Sequence, residues 1–315
     1  MQEVVLLQST ENERTNTVLQ ATIGIFELAF PGQIRACYIE GSYADQSAVF
    51  TSDLDLVIVL KGDASGDLAR AEALARHCCG LSVVELDIGV ADENKLAPGV
   101  PPYFKMGSTH IYGEDIRDTL PLVSLPQWTR DRMHSSLWRT VHLFNRPAVI
   151  RYPLDYPDPS GEFYGYDLRK LRLPDGEEVN CTRDLIRLTG WSATALLAYR
   201  AGRYVTRKSE CHKAYQESFQ DEWGQLLDDI YVYCRNKWHY LLPTDPAERR
   251  KLREICAKTL EFENYFLLVY KEFLLSELRS EDVEGKRMVL WALDQIVYQD
   301  EEIERAMVAA KTAQE

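Results

Sequence analysis

Apolar and polar positions recur along the first third of the chain with two different periods. From Val18 to Phe30 the apolar residues fall at helical spacing, and Thr10 with Glu13 three residues later has the form of a capping box ahead of them. Ile34 to Glu40, IRACYIE, reads as a strand. Leu54 to Leu60, LDLVIVL, is apolar on both faces, the pattern of a strand covered on both sides. GDLARAEALARHCC is a helical stretch that Gly80 should close, and Leu81 to Val90, LSVVELDIGV, reads as a third strand. This order predicts a mixed sheet with helices packed on it. From about Pro126 the strand signals fade. Arg183 to Arg200, Glu222 to Tyr240, Asp245 to Leu278 and Asp282 to Lys311 all carry apolar residues at helical spacing. The expected fold class is α/β (α+β): a mixed-sheet domain over residues 1–125, then a mainly helical domain over 126–315. A Pro-, Gly- and Tyr-rich crossover lies near 150–180. Its frequent aromatic residues argue for an ordered crossover rather than a disordered linker.

One feature is out of place in that pattern. The strand LDLVIVL is entered through Asp53-Leu54-Asp55, and residues two apart in a strand share a face. Two carboxylates held side by side repel unless a cation binds between them. Hard oxygen donors favour magnesium or manganese. Upstream, Gly41-Ser42 ends the preceding strand. Glycine lets a backbone approach a phosphate closely, and Ser42 adds a hydroxyl. A phosphate cradle beside a metal-binding pair suits phosphoryl or nucleotidyl transfer. In VVELDIGV, Glu85 and Asp87 share one face, and Val84, Leu86 and Ile88 share the other. If that strand neighbours the Asp53 strand, Asp87 or Glu85 can complete the metal site or act as the base for an attacking hydroxyl. Asp87 is the first choice, because Leu86 and Ile88 flank it.

The combination is an apolar residue, Gly-Ser, ten intervening residues, Asp-Leu-Asp-Leu and a later strand with a carboxylate. It resembles the nucleotidyltransferase superfamily of the DNA polymerase β type over roughly the first third of the chain. The stretch LIRLTGWSATALLAYRAGRYVTRKSECHKAYQESFQDEWGQLLDDIYVYCR resembles the helical domain of the streptomycin/spectinomycin-type aminoglycoside adenylyltransferases. That resemblance implies ATP as co-substrate, Lys208 or Arg207 as a phosphate ligand and Tyr233, near Tyr231, at the nucleotide. It also implies a glutamate in the third strand, which by gapless overlay is Glu85. The lysine stands one residue later than in that family's pattern, and Cys211 and His212 replace small residues. The expected reaction moves AMP from ATP to a hydroxyl of a small, cationic, aminoglycoside-like substrate, with release of pyrophosphate. Two other readings keep the fold. One changes the acceptor to a protein, a tRNA end or a second nucleotide. The other is a non-catalytic, antitoxin-like regulator.

Composition narrows these readings. The 315 residues carry a formal net charge of −13, which opposes broad phosphate-driven binding to nucleic acid; it serves solubility first, and it also suits the steering of a cationic partner or small substrate. No apolar run is long enough to span a membrane, and the N-terminal stretch lacks the basic region of a signal peptide. Seven scattered cysteines without a CxxC pair fit reduced thiols in a cytoplasmic protein. The six histidines form no zinc-spaced cluster. In FKMGSTHIYGEDIRD, Lys105 and Ser108 are further candidates for lining a nucleotide pocket.

Overall fold

The computed structural model describes residues 4–173 and 176–312; Pro174 and Asp175 of the crossover and the chain's first and last three residues lie outside them. The chain divides into two compact units. The first comprises Met1–Ser124 together with Arg172–Glu178 and Val205–Glu210; the second comprises Leu125–Leu171, Val179–Tyr204 and Cys211–Glu315. Two short segments from the helical half of the sequence therefore belong to the first unit.

In the first unit, α1 (Glu13–Ala29) leads into β1 (Ile34–Glu40), a single turn α2 (Gly41–Ala44), β2 (Leu54–Leu60), α3 (Ser65–Leu81) and β3 (Leu86–Asp92). Short helices α4 (Glu93–Leu96) and α5 (Pro102–Gly107) then precede β4 (Thr109–Gly113). The cap of α1 differs from the expected box. Asn12 is the N-cap and accepts from Thr15 N at 3.1 Å, while Thr10 Oγ1 donates to Asn16 Oδ1 at 2.8 Å. Nor does Gly80 end α3, which runs on to Leu81 and is capped by Ser82.

The sheet order is β3-β2-β1-β4, with β2–β3 parallel and the other pairs antiparallel. Alternation sends Leu54, Leu56, Ile58 and Leu60 to one face, where they are buried with Leu19, Ile23 and Phe26 of α1. Each such side chain contributes roughly 1.5–3 kcal/mol on burial. Ala36, Tyr38 and Val59 line the other face and pack with Val100 and Phe104. Because α5 covers only part of this second face, its far end can carry polar side chains.

The second unit is mainly helical: α6 (Leu125–His142), α7 (Arg183–Ala201), α8 (Cys211–Ser218), α9 (Trp223–Asp229), α10 (Pro246–Arg279), α11 (Val283–Gln295) and α12 (Glu301–Thr312). A π-helical stretch, Ile230–Lys237, continues α9. The expected helix over Asp282 to Lys311 is broken by β8 (Val297–Tyr298), which pairs in parallel with β5 (Val149–Ile150). A second small pair joins β6 (Arg169–Arg172) and β7 (Glu178–Cys181). All seven cysteines are free thiols. Among the described residues, no helix is long and apolar enough to cross a membrane.

Candidate active site

The register of the sheet lines up three carboxylates. Glu40, the last residue of β1, pairs with Asp55 on β2, and Asp55 pairs with Asp87 on β3. Residues directly opposite in adjacent strands share a face. Glu40, Asp55 and Asp87 therefore form a row across three strands, on the face whose other end holds Tyr38 and Val59. Asp53 enters β2 one step earlier, where Leu54 N donates to Glu85 O at 2.8 Å. The structure thus brings Asp53, Asp55, Asp87 and Glu85 to one end of one face. Asp87 lies level with Asp55, and Glu85 lies beside the approach to Asp53. Asp87 and Glu85 are exposed, and Asp53 and Asp55 are half-buried.

Glu40 is the site residue that the sequence reading missed. The signal was present: Ala36, Tyr38 and Glu40 alternate along IRACYIE, and a carboxylate there closes an otherwise apolar face immediately before Gly-Ser. Burial first and the facing Asp55 charge second, opposed by the Lys208 charge, push its carboxyl up to about 7. Burial disfavours the charged form of Glu40, and the neighbouring Asp55 charge adds to that.

Gly41 follows at once. Its φ of +66° is one that side-chain-bearing residues rarely adopt, and a Cβ there would collide with Asp55 Oδ2. Glycine here both turns the chain out of β1 and leaves the carboxylate its space. Ser42 lies in α2; its carbonyl accepts from Ser47 N at 2.9 Å, and its hydroxyl has no hydrogen-bond partner among the described residues. The loop from α2 back to β2 is pinned by Asp45, which accepts from Ser47 N at 3.1 Å and from the Ser47 hydroxyl.

Lys208 belongs to the first unit through the segment Val205–Glu210. It is exposed and forms no ion pair among the described residues, whereas Arg207 Nη1 lies 3.7 Å from Glu210 Oε1. Of the two candidate phosphate ligands, Lys208 is the one whose charge acts on Glu40, at one end of the carboxylate row. Tyr233 belongs to the second unit. Its half-buried ring lies 5.6 Å from that of Trp238, with the Lys251 ammonium 5.3 Å from its centroid. Tyr231 stacks on His212 with centroids 4.2 Å apart and accepts a hydrogen bond from Arg235. Lys105 and Ser108 have structural tasks: the lysine donates to the carbonyls of Arg117 and Leu120, and the buried serine to that of Phe104.

The donor set is all carboxylate oxygen, which matches a hard divalent cation and not zinc. Among the described residues, no group of three or more His, Cys, Asp or Glu side chains is already drawn together around one point.

No protein-family model matches the chain, and no curated protein matches it. Among solved structures it is similar to the spectinomycin adenyltransferase AAD(9) from Enterococcus faecialis, determined with ATP and spectinomycin. The two are 11% identical, the match covers 79% of this chain and 96% of that one, and the TM-score is 0.40. A likeness at this level carries no assignment of function.

Proposed function

We propose that the protein is a magnesium-dependent nucleotidyltransferase that moves AMP from ATP to a hydroxyl of a small cationic acceptor, releasing pyrophosphate. The observation that carries this reading is the row Glu40–Asp55–Asp87 set beside the Gly41-Ser42 turn. Asp53 and Asp55 would hold magnesium or manganese, with Asp87 as the third carboxylate ahead of Glu85 because of its register with Asp55. When bound, the cation supplies neutralisation of charge on the reacting phosphate oxygens.

The rest is work for the chain's own groups. The unpartnered Ser42 hydroxyl, on the turn that Gly41 opens, receives a phosphate oxygen. Lys208 gives a mobile positive charge on the same side. An exposed carboxylate, Asp87 or Glu85, takes the proton from the attacking acceptor hydroxyl. The net charge of −13, with exposed carboxylates at the site, supports a cationic acceptor such as an aminoglycoside, drawn in by long-range attraction.

The test is release of pyrophosphate from ATP and magnesium across a panel of acceptors, aminoglycosides included. Asp53→Asn and Asp55→Asn should each abolish release and keep a cooperative unfolding transition. Their melting temperature without metal should hold steady or rise, since each change removes repulsion. Full activity in either well-folded variant would refute the assignment. Nucleotide binding without turnover on any acceptor would favour a non-catalytic regulator.

A further inference from the structure

Lys208 is flanked by two contacts that fix its segment onto the first unit. On one side, the carbonyl of Thr206 passes so close to Gly107, the last residue of α5, that a Cβ there would collide with it. On the other side, Ser209 Oγ donates to Asp45 Oδ2 at 2.5 Å. Asp45 is well made for this. Its Oδ1 is engaged by Ser47 N at 3.1 Å and by the Ser47 hydroxyl, which sets the carboxylate plane and leaves Oδ2 to face Ser209. Asp45 caps the turn that begins at Gly41, its own N–H bonding Gly41 O at 3.3 Å. One residue therefore ties together the Gly-Ser turn, the loop that leads to Asp53 and the segment that carries Lys208.

We propose that Asp45 and Ser209, with the bare Cα of Gly107, are positioning residues that hold Lys208 at the carboxylate row so that its ammonium meets the nucleotide phosphates. This inference rests on the nucleotidyltransferase reading and goes further by naming what fixes the cation. A lysine has several rotatable bonds, so its usefulness as a phosphate ligand depends on how firmly its backbone is held. The hydroxyl–carboxylate bond is charge-assisted and of the stronger kind. Glycine at 107 is needed for proximity alone, because its φ lies outside the left-handed region.

The experiment uses the full chain and two readouts. The first is amide hydrogen exchange over residues 205–210 without ligand. Ser209→Ala and Gly107→Ala should each speed exchange there by about tenfold or more, while β1 and β2 keep their protection. Ser209→Thr, which keeps the hydroxyl, should behave like the wild type. The second readout is calorimetric binding of a non-hydrolysable ATP analogue with magnesium. Lys208→Ala should weaken binding roughly ten- to a hundredfold, the loss expected for a bond to a charged group. Ser209→Ala should weaken it by a smaller factor, and the double variant Ser209→Ala/Lys208→Ala should bind no worse than Lys208→Ala alone. Losses that multiply in the double variant, or exchange unchanged in both Ser209→Ala and Gly107→Ala, would overturn the positioning role and leave the nucleotidyltransferase reading standing. A wild-type chain that fails to bind the nucleotide would overturn that reading and, with it, the role given to the clamp.

Discussion

Replacing Glu40 with glutamine tests whether its carboxyl, buried and set opposite Asp55, is penalised when charged. Glutamine keeps the shape of the side chain and cannot ionise. In the folded protein the Glu40 carboxyl is pushed from its ordinary value of 4.5 up to about 7, by burial first and by Asp55 second. Between those two values the folded state binds more protons than the unfolded state, so stability falls as pH rises through that window. Above about 7 the whole penalty is present. At about 1.4 kcal/mol per tenfold change in proton affinity, the penalty is about 3 kcal/mol. Glu40→Gln should therefore be more stable than the wild type by up to about 3 kcal/mol near pH 8, and the advantage should vanish near pH 4.5. Urea unfolding in the presence of a chelator measures both differences. Lys208→Ala provides a control of opposite sense: losing the opposing positive charge should steepen the pH dependence of the wild type. Adding magnesium near pH 8 should recover part of the penalty in the wild type and less in Glu40→Gln. An equal stability difference at both pH values, or a glutamine variant less stable than the wild type near pH 8, would refute the raised Glu40 carboxyl.

Asp87→Asn should cost about a hundredfold or more in pyrophosphate release if Asp87 is the acting base or third ligand, and Glu85→Gln far less; the reverse order would move the role to Glu85. Gly41→Ala should lose roughly 1–2 kcal/mol of stability from its left-handed backbone alone, and should also impair turnover by displacing Asp55; urea unfolding and the release assay read the two effects separately. In the helical unit, His134 is held down to about 4 by burial and by Arg130, and its Nδ1 lies 2.8 Å from the Tyr270 hydroxyl. The unfolded chain takes up this proton as pH falls below 6.5, so stability should drop between there and about 4, by up to about 3 kcal/mol. His134→Phe should flatten that acid limb, while lowering stability near neutrality because the Tyr270 hydroxyl loses its partner.

The parts of this fold that were legible are those written in short-range period. Ile34–Glu40 and Leu54–Leu60 form strands at the limits their apolar runs predict. The pair Asp53 and Asp55 stood out because charge interrupts such a run. What failed depended on partners. The third strand begins at Leu86, not Leu81, because only there does it pair with β2, while α3 extends through Gly80. β4 is short and lies in a segment with little alternation, so its pairing with β1 had no local signature. Glu40 became a site residue only when the register set it opposite Asp55. Lys208 is read from its neighbours as part of a helical domain, yet its segment sits with the first unit through contacts at Gly107 and Asp45 that nothing nearby in the sequence announces.

That last placement bears on how the chain is built during synthesis. The Ser209–Asp45 bond spans 164 residues. Closing a flexible loop of that length costs roughly 4–5 kcal/mol, several times what one hydrogen bond returns. The segment therefore docks late, once the intervening helices have folded and shortened the effective loop. A nascent chain emerging from the ribosome would form its sheet, and its row of acids, well before Lys208 arrives beside Glu40. In that interval Glu40 is without the positive charge that opposes its burial and the Asp55 charge, and its carboxyl holds its proton more tightly.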